Sequence, residues 1–139
     1  MYGVTLQMAD TFGRFLAEQG VKQILIHDTS KTHPSYIIND IFRYKGVILG
    51  SCAYNGGIFP TMETLLCELE NMGIKNHLLA YFGNKTWGGG AIPRLKAFAE
   101  KMKWEVVAEP NEALGAMKSS DIEQCKAIAQ AMAEKIKKS

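Results

Sequence analysis

A three-layer α/β domain with a doubly wound parallel sheet is predicted by three observations. Helical and strand-like stretches alternate along the 139 residues, the order that places helices on both faces of a parallel sheet. Val47–Leu49 and Leu78–Phe82 are short, continuously apolar runs, as expected of strands buried on both faces. Each run ends in a polar, glycine-bearing stretch that leads into a helix: Gly50 to Pro60 in one case, Gly83 to Gly90 in the other. Ligands of open α/β sheets sit beyond the carboxyl ends of the strands, so the two loops are expected to share one crevice.

The elements follow in order. Met8, Ala9, Phe12, Phe15 and Leu16 form one apolar stripe, which predicts an amphipathic helix from Thr5 to about Gln19, ended by Gly20. Val21–Ile26 reads as a strand, followed by a polar connection from His27 to His33. Pro34 suits the first turn of a second helix, running through Tyr36, Ile37, Ile38 and Ile41 to about Tyr44. The strand Val47–Leu49 comes next. A helix from Pro60 to Met72 carries Met62, Leu65, Leu66 and Leu69 on one face, with Gly73 as its stop. His77–Phe82 is the next strand, Ala91–Met102 the next helix, and Trp104–Ala108 a last strand. Ser120 and Glu123 have capping-box spacing and open a final helix with Cys125, Ile128, Ala129, Met132 and Ile136 on one face. Lys135–Ser139 is expected to fray. Cys67 and Cys125 occupy apolar helical positions and are expected in the core. The chain opens on the turn that ordinarily follows a first strand.

Bulk properties bound the function. The length fits one domain spanning residues 1–139 with a single sizeable core. An apolar fraction of 47% with 22% charged residues is ordinary for a globular protein. A net charge of +2 gives no reason to expect nucleic acid or an anionic membrane as partner. No window approaches the roughly 18 apolar residues of a membrane span, and the N-terminus lacks the pattern of a secretory signal. Cys52, Cys67 and Cys125 are odd in number and far apart, which points to a reducing compartment, with the cytoplasm as the expected location. His27, His33 and His77 are scattered without carboxylates at ligand spacing, so no metal site is expected. Gly83-Asn84-Lys85-Thr86 lacks the spacing of a nucleotide-binding P-loop.

Several residues carry the resemblance to a known family. Gly50-Ser51, Tyr54-Asn55-Gly56-Gly57 and Phe59-Pro60-Thr61-Met62, then Phe82-Gly83, Trp87 and Gly89-Gly90-Ala91, resemble the flavodoxin-like domain of flavodiiron proteins, the A-type flavoproteins. Met1-Tyr2-Gly3, Thr5 and Met8-Ala9 are similar to that domain's phosphate loop and first helix. The resemblance implies a five-stranded parallel sheet of order 2-1-3-4-5 and non-covalent FMN at the carboxyl ends of the strands. It also implies electron transfer to a di-iron site in a separate domain, where dioxygen or nitric oxide is reduced. This chain would then be the electron-carrying module, with a redox partner protein or di-iron domain as partner. The family's first, central strand and the Ser or Thr that opens its loop would lie before Met1. Cys52 and Ala53 stand where the family usually has Pro and Thr, and Thr86 and Gly88 depart from its usual Gly-Trp-Ser.

The candidate cofactor-binding residues are Gly3, Thr5, Ser51, Cys52, Ala53, Tyr54, Asn55, Gly57, Asn84, Lys85, Thr86, Trp87, Gly88 and Gly89. A helix N-terminus at Gly3–Thr5 suits a phosphate, although Thr5 alone would equally be an N-cap. Ser51–Gly57 would offer backbone N–H groups to an isoalloxazine, and Tyr54 or Trp87 could stack on it or could simply pack. Asn55 suits either a turn or a hydrogen bond to the ring. No general acid, base or nucleophile is singled out, in keeping with electron transfer rather than bond-making catalysis. The alternative is a cofactor-free domain with a broken site, serving protein association, or a fragment of a larger flavoprotein. A missing central strand leaves two edges facing a gap. They could pair directly, giving order 2-3-4-5, a second copy could cover them, or the natural product could be longer. Self-association into a homo-oligomer is expected of the 139-residue chain.

Overall fold

The computed structural model describes residues 2–54, 57–58, 60–74, 77–85, 91–114 and 118–138, of which 2–6, 52–54, 57, 84–85 and 111–114 are described by backbone alone. The elements are α1 (Tyr2–Glu18), α2 (Pro34–Arg43), β1 (Gly46–Tyr54), β2 (Gly57–Ile58), α3 (Pro60–Met72), β3 (Leu78–Lys85), α4 (Ile92–Met102), β4 (Glu105–Val106), β5 (Asn111–Leu114) and α5 (Ser119–Lys138).

The sheet is parallel where the sequence predicts it. β1 pairs β3 in register from Gly46↔Leu78 to Cys52↔Asn84. On its other edge β3 takes β4, with Leu78↔Glu105 and Leu79↔Val106, and then β5, from Phe82↔Asn111 to Lys85↔Leu114. Between Leu79 and Phe82 the chain advances three residues, while its partner advances five from Val106 to Asn111. The extra length interrupts the expected 104–108 strand beside Pro110, which has no N–H to give to a ladder.

Side chains alternate across the sheet into two cores. Leu79 and Tyr81 of β3, with Val47 and Leu49 of β1, join α2, α3 and α4 in one cluster. Leu78, Ala80 and Phe82 join α1 and α5 in the other. These are the three layers. Helices α2, α3 and α4 begin and end within one residue of their expected bounds. Gly73 stops α3 at φ +66°, with its N–H donating to the Leu69 carbonyl at 3.1 Å.

Five expectations are corrected. Val21–Ile26 is not a strand: residues 21–28 carry no regular structure, and Leu25 and Ile26 are 52% and 51% exposed. A strand exists only through its ladder, and this stretch has none. It has also not closed onto β1, so the 2-3-4-5 arrangement does not form. The expected turn at Met1–Thr5 is helical from Tyr2 onward; the first N–H groups of a helix need no intrahelical acceptor, so added residues extend it at little cost. Cys67 is exposed rather than core, because α3 turns it toward Glu63, whose Oε2 accepts from Sγ at 3.2 Å. Helix α5 starts at Ser119, so the capping pair is Lys118 and Asp121, with the Lys118 N–H donating to Asp121 Oδ2 at 2.9 Å. Lys135–Lys138 are helical rather than frayed: Lys135 pairs with Glu105 at 2.8 Å, and Lys137 Nζ donates to the Gln19 carbonyl at 2.5 Å.

Candidate functional site at the carboxyl ends of the strands

The first structural fact about the site is the length of β1. The sequence suggests a strand that stops at Leu49 and a turn from Gly50; the strand instead continues to Tyr54. It then doubles back, with Ala53↔Ile58 and Tyr54↔Gly57 paired antiparallel to β2. Ser51, Cys52, Ala53 and Tyr54 are therefore strand residues, not turn residues. Two residues, Asn55 and Gly56, separate the paired Tyr54 and Gly57, and Asn-Gly is the strongest two-residue hairpin signal a sequence offers. That signal was present and outweighs a loop reading.

β1 and β3 bring the two expected loops to one place. Ser51 lies opposite Gly83 and Cys52 opposite Asn84, while Asn84 and Lys85 are flanked on the far side by Ala113 and Leu114 of β5. Sequence reasoning missed β5 altogether; its four residues, Asn-Glu-Ala-Leu, have no strand pattern of their own. Ser51 is buried, at 3% exposure.

Helix α1 comes to the same end. Its last turn meets Lys137 at Gln19, and Lys135 of the same α5 turn pairs with Glu105, which lies opposite Leu78 at the start of β3. Phe12, further up α1, packs on Phe82 near the end of β3 at a centroid distance of 4.9 Å. The helix thus runs against the strands, and its first turn, with Gly3 and Thr5, lies toward their carboxyl ends. An N-terminal turn carries N–H groups without intrahelical acceptors and the positive end of the helix dipole. Asn55, Thr86, Trp87, Gly88 and Gly89 lie outside the described residues.

Behind the site, α3 and α4 are clamped by Arg94. Its Nε and Nη2 donate to Glu63 Oε1 and Oε2 at 2.9 and 2.7 Å, and Nη1 reaches Glu70 Oε2 at 3.1 Å. The hydrogen bond from Arg94 holds the Glu63 carboxyl below its usual pKa against the opposing effect of burial. The Cys67 thiol is pushed up by its hydrogen bond to Glu63, which keeps it protonated. His77 is buried with Nε2 2.7 Å from the Ile41 carbonyl and its ring against Trp104. Among the described residues no three His, Cys, Asp or Glu side chains converge as a metal site, and no helix is long and apolar enough to cross a membrane.

A parallel α/β sandwich with helix α1 reversed against β1 and β3 is the arrangement found in known proteins of one group. The rubredoxin oxygen:oxidoreductase of the anaerobe Desulfovibrio gigas superposes with a TM-score of 0.92 at 26% identity, over 99% of this chain and 34% of that one. The anaerobic nitric oxide reductase flavorubredoxin of Escherichia coli is 27% identical over 103 residues, 73% of this chain and 22% of that protein. The chain is a flavodoxin-like domain related to those of flavodiiron proteins. It spans about a fifth of the length of the curated relatives it matches. A flavodoxin from the domain Archaea shares the fold of the domain, with a TM-score of 0.83 at 21% identity over 99% of this chain and 93% of that one. No family model matches the sequence.

Proposed function

We propose that this flavodoxin-like domain binds FMN and carries electrons. The observation that carries the reading is the shared end of the sheet, where Ser51 and Cys52 lie beside Gly83 and Asn84 and the first turn of α1 approaches. The donor set suits the group. Helix N–H groups at Gly3 to Thr5 match a phosphate, and strand-end N–H groups along Ser51 to Tyr54 and at Gly57 match the polar edge of a flavin; Asn84, Lys85 and, beyond the described residues, Asn55 and Thr86 to Gly89 with Trp87 complete the proposed contacts. When bound, FMN supplies one- and two-electron transfer; the protein contributes binding, orientation and electrostatics. Its buried strands exclude water from one side of the site.

We further propose a redox partner protein or a di-iron domain as the electron acceptor and the cytoplasm as the location; the names of the relatives, flavorubredoxin and rubredoxin oxygen:oxidoreductase, support the redox partner. The exposed Leu25 and Ile26 side chains support self-association of the 139-residue chain as a homo-oligomer, which light scattering at micromolar concentration tests. The deciding experiment for the cofactor is colour. The purified protein, or the protein after addition of FMN, should show flavin absorbance that stays with it through gel filtration. A colourless protein that rejects added FMN overturns the reading.

A further inference from the structure

The amino end of the sheet, away from Ser51 and Asn84, gathers exposed apolar side chains and cations. Phe42 near the end of α2 and Met72 at the end of α3 are 58% and 55% exposed. Together with the buried Ile38 they line one groove of about 530 Å³ between the two helices. Two hydrogen bonds draw the neighbouring turns in. His77, just before β3, has Nε2 2.7 Å from the Ile41 carbonyl of α2. Trp104 Nε1 donates to the Ile74 carbonyl at 2.8 Å, so the turn after α4 adjoins the turn after α3. That turn carries Lys103, while Arg43 and Lys45 flank the other side, just before β1. Two carboxylates of this end are engaged: Glu70 by Arg94 at 3.1 Å and Lys101 at 4.0 Å, and Glu105 by Lys135 at 2.8 Å. Lys103 is the one non-glycine residue at positive φ among the described residues, at 58°. It ends α4 where helices commonly place glycine, which is less strained there. The chain instead holds an exposed cation at that point.

We propose that this face docks an acidic polypeptide segment of a partner protein. An apolar side chain of the segment seats between Phe42 and Met72, and Asp or Glu residues beside it meet Arg43, Lys45 and Lys103. The apolar contact supplies the anchor, and the complementary charge supplies the choice of partner. Glu68 stands on the groove itself and fixes the direction. The acidic residues of the segment lie toward β1 and α4, and its uncharged part lies toward Glu68 and His33. The same carboxylate disfavours a membrane or a nucleic acid, whose phosphates would approach it as well as the lysines. A second copy seated face to face would bring cations against cations. The docked segment leaves the carboxyl end of the sheet open, so the inference stands apart from the FMN reading.

The test selects binders to the immobilised full chain from a display library of random peptides of about 12 residues, roughly 18 Å as a helix. The enriched sequences are synthesised and titrated by fluorescence polarisation. They should carry a large apolar residue beside Asp or Glu, and their affinity should fall as salt rises. Met72→Asp should weaken binding by about tenfold or more, the loss of a central anchor. Lys103→Gly should weaken it about threefold or more while the thermal midpoint stays level or rises, because glycine suits the left-handed position. That pair of readouts separates a lost contact from a lost fold. The proposal is overturned if no peptide is enriched, if the enriched peptides are basic or lack an apolar residue, or if both variants bind them as the parent does. Displacement of the peptides by phosphatidylserine vesicles or duplex DNA, at lower concentration than by free peptide, would overturn it too, since the face would then serve phosphates.

Discussion

Gly50 is the residue where the packing of β1 is least forgiving. A Cβ there would fall within the Phe82 ring, and Phe82 is itself buried against Phe12, so the ring has nowhere to go. Gly50→Ala should therefore destabilise the fold by roughly 1–3 kcal/mol, the usual cost of overpacking a filled core, seen as a lower urea midpoint with an unchanged slope. An unaltered midpoint would mean that Phe82 finds another rotamer. Trp87 tests the site at the same scale. Its replacement by Ala should weaken FMN binding by about tenfold, since a stacking contact is worth roughly 0.5–1.5 kcal/mol, and fluorescence titration with FMN measures it. Unchanged affinity would place the flavin ring away from Trp87. Residue by residue, the sequence is a partial guide to the site. Ser51, Cys52 and Asn84 do meet at the sheet's end, because adjacent parallel strands bring their carboxyl ends together. The turn expected around Ser51 does not, because hairpin pairing beyond Ala53 keeps the strand going.

At the scale of elements, Arg94 ties α4 to α3 through two carboxylates, one of which, Glu70, has a side chain only 10% exposed. Arg94→Ala would leave that carboxylate with Lys101 at 4.0 Å in place of the Arg94 hydrogen bonds, at a cost of about 1–3 kcal/mol, read as a lower thermal midpoint at neutral pH. The acid limb carries the sign. Hydrogen bonding to Arg94 depresses the Glu63 pKa in the folded state, so its contribution is complete above the unfolded carboxyl value of about 4.3 and is lost as pH falls through the folded value. Stability of the parent chain should drop in that acid window, and the Arg94→Ala variant should show a shallower drop; parallel profiles would assign the effect to other carboxylates. Helices α2, α3 and α4 were legible in the sequence because their apolar stripes and their Pro and Gly boundaries agree. Strands β1 and β3 were legible because their apolar runs reflect burial on both faces; the exposed β4 falls within the expected 104–108 strand but covers only Glu105–Val106. Val21–Ile26 has the composition of a strand but no partner, and β5 has a partner but not the composition. Pairing is a property of the assembled sheet, and neither case could be settled by local pattern.

At the scale of the whole molecule the two cores lie on opposite faces of the sheet; β1 reaches both, with Val47 and Leu49 on one side and Ile48 on the other, and β3 contributes buried residues to each. The β3 residues alternate between the clusters, Leu79 and Tyr81 to one side and Leu78, Ala80 and Phe82 to the other. It is also bonded on one edge to β1 and on the other to β4 and β5. Opening β3 therefore requires both cores to come apart together, whereas residues 22–27 can exchange without disturbing any ladder. Native-state exchange should show this as a wide spread. Amides of Leu79 to Phe82 should exchange only through global unfolding, with protection rising one-for-one as the protein is stabilised, while those of 22–27 should exchange many orders of magnitude faster. β1 should fall between them, since among the described residues its ladder runs along β3 on one edge and reaches β2 on the other only at Ala53 and Tyr54. If β1 and β3 instead exchange at one common rate, the sheet opens as a unit, and the edge of β1 away from β3 is not the weak seam of this fold.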